Sequence, residues 1–113
     1  MHIITCEQVS SGHPDKICDQ IADAIVTDVL QHDRNARVAA EVLIKGNQIV
    51  IAGEITSSYT PDYRELVKGV FDRIGLERLG YEEDVFDVHA IFFRNKCRVS
   101  RPQAPSVCRD GVC

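Results

Sequence analysis

Two runs rich in valine and isoleucine, separated by a two-residue turn, limit the folds open to this chain of 113 residues. Arg37 to Lys45 and Gln48 to Ser57 have the composition of β-strands. Gly46-Asn47, which lies between them, suits the tight turn of a hairpin. The pattern therefore predicts two adjacent antiparallel strands with a register set by the turn.

This register brings two carboxylates together. With the turn at Gly46-Asn47, Glu41 faces Ala52 and Glu54 faces Ala39, so the two glutamates become diagonal neighbours about 7–8 Å apart on one face. The face is largely apolar, and charged groups are rarely left unpaired in such surroundings. Two interpretations remain open: the carboxylates pair with an arginine such as Arg37, or they bind a cation or a substrate ammonium group.

Two amphipathic helices and two further strands complete the predicted order. Strands are predicted over Ile3 to Val9 and Phe86 to Phe93, and helices over Pro14 to Gln31 and Tyr63 to Ile74, the second capped by Thr60-Pro61-Asp62. The first helix has an apolar row with a spacing of four, made of Ile17, Ile21, Ile25 and Val29. The order β-α-β-β-α-β predicts an α+β two-layer sandwich, with two helices on one face of a mainly antiparallel sheet.

The start of the first helix has the features of a nucleotide site. In Ser11-Gly12-His13-Pro14-Asp15-Lys16, the proline suits the first helical turn, where free N–H groups and the helix dipole favour phosphate. A carboxylate beside a polyphosphate makes sense mainly when a cation such as Mg²⁺ is bound as well. The hexapeptide alone leaves a second interpretation open, namely a surface turn with ordinary capping residues.

Several motifs in order and at a matching spacing resemble the N-terminal domain of the S-adenosylmethionine synthetase (methionine adenosyltransferase) family. They are Ser11-Gly12-His13-Pro14-Asp15-Lys16, Ile17-Cys18-Asp19-Gln20-Ile21, Asn35-Ala36-Arg37-Val38-Ala39, Glu41 and Ala52-Gly53-Glu54-Ile55-Thr56. The resemblance covers roughly Ile3 to Phe93. It implies the same α+β architecture, and it implies that the chain matches the first of three domains.

The resemblance also implies roles for the helix start. His13 matches the catalytic histidine that contacts ATP near its O5′ leaving oxygen, and Asp15 matches a magnesium ligand. Glu7 matches a glutamate that serves a metal in some members, and Lys16 belongs to the motif and suits phosphate.

For the paired carboxylates, the resemblance implies a potassium ligand at Glu41 and a methionine-binding residue at Glu54. The implied reaction is formation of S-adenosylmethionine from ATP and L-methionine, with release of phosphate and pyrophosphate and with Mg²⁺ and K⁺ as cofactors. The family works as a homodimer or tetramer. The alternative is a non-catalytic fragment or regulatory relative that retains the nucleotide-binding loop.

The composition changes abruptly after residue 93. Residues 1–93 contain 8 basic and 16 acidic side chains, whereas residues 94–113 contain 5 basic and 1 acidic. Three of the five cysteines also lie in this last segment. We therefore predict a domain over 1–93 and a disordered basic tail over 94–113. The tail has two possible origins: a frameshifted or otherwise foreign sequence, or a natural basic extension. A chain that lacks the rest of the family enzyme is expected to be inactive.

The beginning of the chain lacks the basic and long apolar regions of a secretory signal, and no run approaches the roughly 20 apolar residues of a membrane span. These observations predict a soluble, cytoplasmic protein with no membrane partner. The net charge of −4 argues against nucleic acid as a partner.

Overall fold

The computed structural model describes residues 1–76 and 86–93, which contain two helices and three strands. In chain order the elements are α1 (Pro14–His32), β1 (Arg37–Lys45), β2 (Gln48–Thr56), α2 (Tyr63–Ile74) and β3 (Asp87–Phe93). The predicted tail over 94–113 lies outside the described residues. Within them, neither helix is long and apolar enough to cross a membrane.

The hairpin has the predicted register. β1 and β2 pair antiparallel from Arg37 opposite Thr56 to Lys45 opposite Gln48. Gly46 adopts a φ of 58°, a left-handed conformation that glycine adopts without steric cost. Because residues alternate between faces along a strand, this register separates an inner sheet face, packed on the helices, from an outer face.

The third strand lies parallel to β2, so the sheet is mixed, in the order β1-β2-β3, rather than mainly antiparallel. The connection explains the direction of β3: β2 leads into α2, and the helix returns the chain to the end of the sheet where β2 began. Parallel neighbours need such a crossover, whereas antiparallel neighbours need only a short turn. The predicted α+β class is confirmed.

The predicted first strand, Ile3 to Val9, is wrong, since residues 1–13 form no strand in the structure. Ile3 and Ile4 are 79% and 93% exposed. Adjacent apolar residues point to opposite sides of an extended chain, so they do not make one buried face. No strand in the described part of the chain pairs with this segment, and an unpaired strand has no ladder to stabilise it.

The core forms where α1 packs on the inner sheet face. The predicted apolar row is buried, with Ile17 at 6% exposure and Ile21, Ile25 and Val29 at 0%. Ile49 and Ile51 of β2 belong to the same cluster and are also fully buried. Each fully buried side chain of this size contributes roughly 1.5–3 kcal/mol, so this contact holds α1 and its start against the sheet.

The second helix has the predicted cap and inner face. Asp62 Oδ1 accepts hydrogen bonds from the backbone N–H groups of Arg64 and Glu65, at 3.1 and 3.2 Å. Val67, Val70 and Phe71 of α2 are buried in the common core. Both helices therefore pack on the same sheet face, as predicted.

A carboxylate that the sequence did not single out joins the end of α1 to the loop after β2. Asp33 Oδ2 accepts hydrogen bonds from Ser58 N–H at 2.8 Å, Ser58 Oγ at 3.1 Å and Ser57 Oγ at 3.2 Å. Its Oδ1 accepts from Asn35 N–H at 3.0 Å. These donors, the backbone N–H of Ser58 first, hold the pKa of Asp33 below its ordinary value of 3.8.

This network predicts an acid-sensitive contribution to stability. A carboxyl whose pKa is lower in the folded state stabilises fully above its unfolded pKa, and the contribution is lost as the pH falls through the folded pKa. Asp33→Asn should therefore lower the free energy of unfolding at pH 7, and its difference from the wild type should shrink below about pH 4. Urea titrations across this range measure the difference.

Asp23→Asn, at an exposed position on α1, is the matched control and should show no such dependence. A difference between Asp33→Asn and the wild type that stays constant from about pH 7 to pH 3 would contradict the assigned contribution of the ionised carboxylate.

Candidate functional site

His13 is the N-cap of α1. Its Nδ1 accepts a hydrogen bond from the backbone N–H of Asp15 at 3.2 Å, and Pro14 occupies the first turn. The backbone N–H of His13 donates to the carbonyl of Ser10 at 3.0 Å. Since Nδ1 is the acceptor, the neutral ring carries its proton on Nε2. The side chain, which is 43% exposed, therefore offers an N–H donor at the helix start.

A cleft of about 420 Å³ lies beside this helix start. His13 and Asp15 line it at the start of α1, and Lys45 and Gly46 line it at the end of β1 and in the turn that follows. The cleft thus combines a histidine, a carboxylate and a lysine with the positive end of a helix. Such a set suits an anionic ligand that arrives with a cation.

Two other predicted residues lie apart from the cleft. Lys16 Nζ is 3.9 Å from Asp19 Oδ2 along the helix surface, and Lys16 is not among the lining residues. Glu7 is exposed in the segment before α1. Sequence proximity to His13 is therefore not sufficient to place a side chain in the cleft.

The described part of the chain contains no group of three or more histidine, cysteine, aspartate or glutamate side chains that could hold a metal ion. Asp15, with its side chain 90% exposed, is one carboxylate at the cleft. One carboxylate fits Mg²⁺ that is bound largely by substrate phosphates and water, because this cation commonly uses only one or two protein carboxylates. It does not fit a cation held by the protein alone.

Glu41 and Glu54 lie on the outer sheet face in the predicted diagonal arrangement, since Glu41 pairs with Ala52 and Glu54 with Ala39. Glu41 is exposed and Glu54 is half-buried. The Oε2 atom of Glu54 is buried and has no hydrogen-bond partner within residues 1–76 and 86–93. No ion pair joins either carboxylate to Arg37 or to another arginine of the described residues, so this part of the chain does not support the arginine interpretation.

Apolar side chains surround the two carboxylates. Leu43 and Ile91, on the same outer face, are 62% and 52% exposed. A buried carboxylate oxygen without a donor costs about 1–3 kcal/mol or more unless a cation or a donor satisfies it. The outer face therefore has the chemistry to take a cation or an ammonium group at Glu54.

The hairpin connects the outer face to the cleft. Lys45 at the end of β1 lines the cleft, and Glu41 lies four residues earlier on the same strand. At about 3.3 Å per residue, their backbones are about 13 Å apart. The same strand therefore contributes to both regions.

A larger cleft lies elsewhere among the described residues, at the opposite end of α1. It has a volume of about 690 Å³, its lining includes Asp33, Tyr59, Tyr63 and Phe92, and it contains none of the predicted site residues. Sequence reasoning missed Asp33 and its role, as well as Lys45 as a lining residue. The only signal for Lys45 is its position next to the Gly46-Asn47 turn.

Comparison with known proteins gives consistent matches. The sequence model of the family described as "S-adenosylmethionine synthetase, N-terminal domain" matches residues 1–98. The chain is 40% identical over 108 residues to the S-adenosylmethionine synthase of Mycoplasma capricolum, an alignment that covers 93% of this chain and 26% of that protein. It is 49% identical over 83 residues to the corresponding synthase of Borrelia garinii, with 72% and 21% covered.

A solved structure has the same fold. The chain is similar to an S-adenosylmethionine synthetase from Campylobacter jejuni, with a TM-score of 0.72 and 39% identity over 77% of this chain and 25% of that one. The chain thus spans about a quarter of the length of the relatives it matches. The Mycoplasma alignment covers more of the chain than residues 1–93 supply, so it includes part of 94–113.

Proposed function

The chain belongs to the S-adenosylmethionine synthetase family, where it corresponds to the N-terminal domain, and we propose that it is the N-terminal part of an enzyme that forms S-adenosylmethionine from ATP and L-methionine. The main support for this proposal is the arrangement of side chains at the start of α1. There a capping histidine presents an Nε2–H donor at a cleft that also contains Asp15 and Lys45.

The proposed reaction is an in-line displacement at C5′ of ATP. The thioether sulfur of methionine forms the new bond to C5′, the C5′–O5′ bond breaks, and the whole triphosphate leaves as an anion. Water then hydrolyses the triphosphate to pyrophosphate and phosphate. A neutral thioether needs no general base. The protein must therefore position the two substrates and stabilise the negative charge of the leaving group.

Residues in the cleft and next to it perform these two tasks. His13, through Nε2–H, donates a hydrogen bond towards the leaving oxygen as charge develops there. The positive end of the α1 dipole, together with Lys45 and Lys16, favours the triphosphate, and Lys16 turns from Asp19 to do so. Asp15, and Glu7 from the preceding segment, would hold Mg²⁺, which supplies charge neutralisation on the phosphates when bound.

In this proposal, the outer sheet face binds methionine, the second substrate. Glu54, with its unpartnered Oε2, binds the ammonium group of methionine, and Glu41 contributes to a potassium site. Both carboxylates point away from the helices, so that face must lie against another part of the enzyme to exclude water from the reaction. A homodimer or tetramer would supply such a cover.

The chain by itself should not turn over, because it spans only about a quarter of its relatives. We therefore define a hybrid enzyme, in which residues 1–93 replace the matching N-terminal part of the Campylobacter jejuni synthetase. Chain and hybrid are incubated with ATP, methionine, Mg²⁺ and K⁺, and S-adenosylmethionine is measured by mass spectrometry. We expect product from the hybrid only, and sustained turnover by the 113-residue chain would show that it is a complete catalyst.

The two carboxylates of the outer face should separate by ligand in the hybrid. Glu41→Gln should weaken the activation by potassium, because a neutral amide attracts a cation less strongly than a carboxylate does. Glu54→Gln should raise the KM for methionine, because the ammonium group then loses its charged partner. Initial rates at varied K⁺ and varied methionine measure both effects.

Glu65→Gln, at an exposed position in the first turn of α2, is the matched control and should leave both responses unchanged. Equal effects of Glu41→Gln and Glu54→Gln on both ligands would contradict the assignment of two separate roles.

A further inference from the structure

The side chain of Gln20 joins α1 to the segment that precedes it. Its Nε2 donates to the backbone carbonyl of Ser11 at 3.1 Å and to that of Lys16 at 3.2 Å. Both partners are acceptors, so the NH₂ end of the amide must face them. The two carbonyls stand on either side of His13 in the chain, one before the helix and one in its first turn.

This contact acts on a segment that has few other contacts among the hydrogen bonds of the described residues. Residues 1–13 contain no helix or strand, and residues 1–11 are exposed. Two further hydrogen bonds stabilise the turn at the helix start: the N–H of His13 to the carbonyl of Ser10, and the N–H of Asp15 to His13 Nδ1. Gln20 adds the connection between Ser11 and a residue nine positions later, on a helix held by its buried isoleucines.

We propose that Gln20 is a positioning residue for His13. By holding the carbonyl of Ser11 against α1, it limits the orientations of the turn and keeps His13 Nδ1 on the N–H of Asp15, so that Nε2–H faces the cleft. Gln20 itself does not line that cleft. The inference rests on the proposed function, because that function gives His13 its catalytic role. The effect of Gln20 on the geometry of His13 can nevertheless be tested without any substrate.

The test uses the ¹⁵N-labelled 113-residue chain. Gln20→Met keeps the length of the side chain and removes the donor, and Gln20→Glu keeps the shape but opposes both carbonyls with a carboxylate. NMR measures the exchange rate of the Asp15 amide and the tautomer of His13. Loss of one or two hydrogen bonds of ordinary strength should speed the exchange about 2- to 10-fold in Gln20→Met, and more in Gln20→Glu. The Nε2–H tautomer signal should weaken in the same order.

Gln31→Met makes the same chemical change at an exposed position late in the same helix and controls for helix propensity. It should change neither the exchange of Asp15 nor the His13 tautomer. A general loss of stability would alter core amides such as that of Ile25 as well, whereas loss of positioning alters only the helix start. Unchanged exchange and tautomer in both Gln20 variants would overturn the proposal.

If the Gln20 variants fail to fold, the proposal is tested on the wild-type chain. A nuclear Overhauser contact between the Gln20 side-chain amide and the Hα of Ser11 is expected, and its absence would overturn the inference. None of these readouts needs enzymatic activity. Failure of the hybrid to form S-adenosylmethionine would therefore count against the proposed function and leave the role of Gln20 in place, and the reverse also holds.

Discussion

Replacement of His13 by alanine should slow S-adenosylmethionine formation by the hybrid about 10²- to 10³-fold, the usual effect of losing one preorganised donor to a developing charge. The alanine side chain can neither donate from an Nε2–H nor accept from the N–H of Asp15. Turnover at saturating ATP and methionine, measured by mass spectrometry, gives the effect on the chemical step. Turnover equal to that of the wild type would rule out the proposed catalytic role.

The capping role of His13 needs its own control, because loss of an N-cap alone costs about 0.5–2 kcal/mol of stability. His13→Asn retains a good cap but loses the imidazole donor, so it should recover stability without recovering turnover. His2→Ala changes an exposed histidine outside the motif and should leave turnover unaltered. Full turnover in His13→Asn would assign the residue a purely structural task.

Gly53→Ala should be the most destabilising small substitution in the hairpin, at about 3 kcal/mol or more. Gly53 has a φ of 153°, and a Cβ there would overlap the carbonyl oxygen of Ala39 on the facing strand. The obstacle is backbone, which cannot move aside without disturbing the pairing of β1 and β2. Urea unfolding of the 113-residue chain measures the loss, and a change below about 1 kcal/mol would contradict this account of the close approach.

Gly69→Ala is the matched control for that experiment. Gly69 lies within α2, and a Cβ added there meets no atom within 4 Å. The same addition of one methyl group should stabilise the chain by about 0.5–1 kcal/mol, because alanine favours a helix over glycine. If the two substitutions change the free energy of unfolding in opposite directions, the loss at Gly53 comes from contact with the backbone and not from the added methyl group.

Features set by local rules were predictable from the sequence. The Gly46-Asn47 turn determines the hairpin register, and with it the shared face of Glu41 and Glu54. A spacing of four determines the buried row of α1, and Asp62 determines where α2 begins, through its cap. Each of these depends on residues a few positions apart, so a single sequence contains the necessary information.

Features set by distant partners were not predictable in the same way. The segment from Ile3 to Val9 has strand-like composition, but a strand also needs a neighbour, and the described part of the chain supplies none. The network of Asp33 joins residues 24 and 25 positions apart, through hydroxyl and N–H groups that no motif marks. Lys45 reaches the cleft only because α1 packs across the sheet near the hairpin turn.

The direction of β3 was partly predictable from the sequence. A helix between two strands already favours a parallel crossover, and β2-α2-β3 follows that rule. The prediction of a mainly antiparallel sheet did not take into account that α2 returns the chain to the start of β2. The parallel register pairs the backbone of Phe93 with that of Glu54, near the end of β2.

The initial rate of S-adenosylmethionine formation by the hybrid tests the central claim most directly, namely that residues 1–93 supply a working N-terminal part of this enzyme. We expect a rate within about tenfold of that of the parent synthetase, dependent on Mg²⁺ and reduced about 10²- to 10³-fold by His13→Ala. A folded hybrid of the parent's oligomeric state that forms no more product than its own His13→Ala variant would contradict the claim.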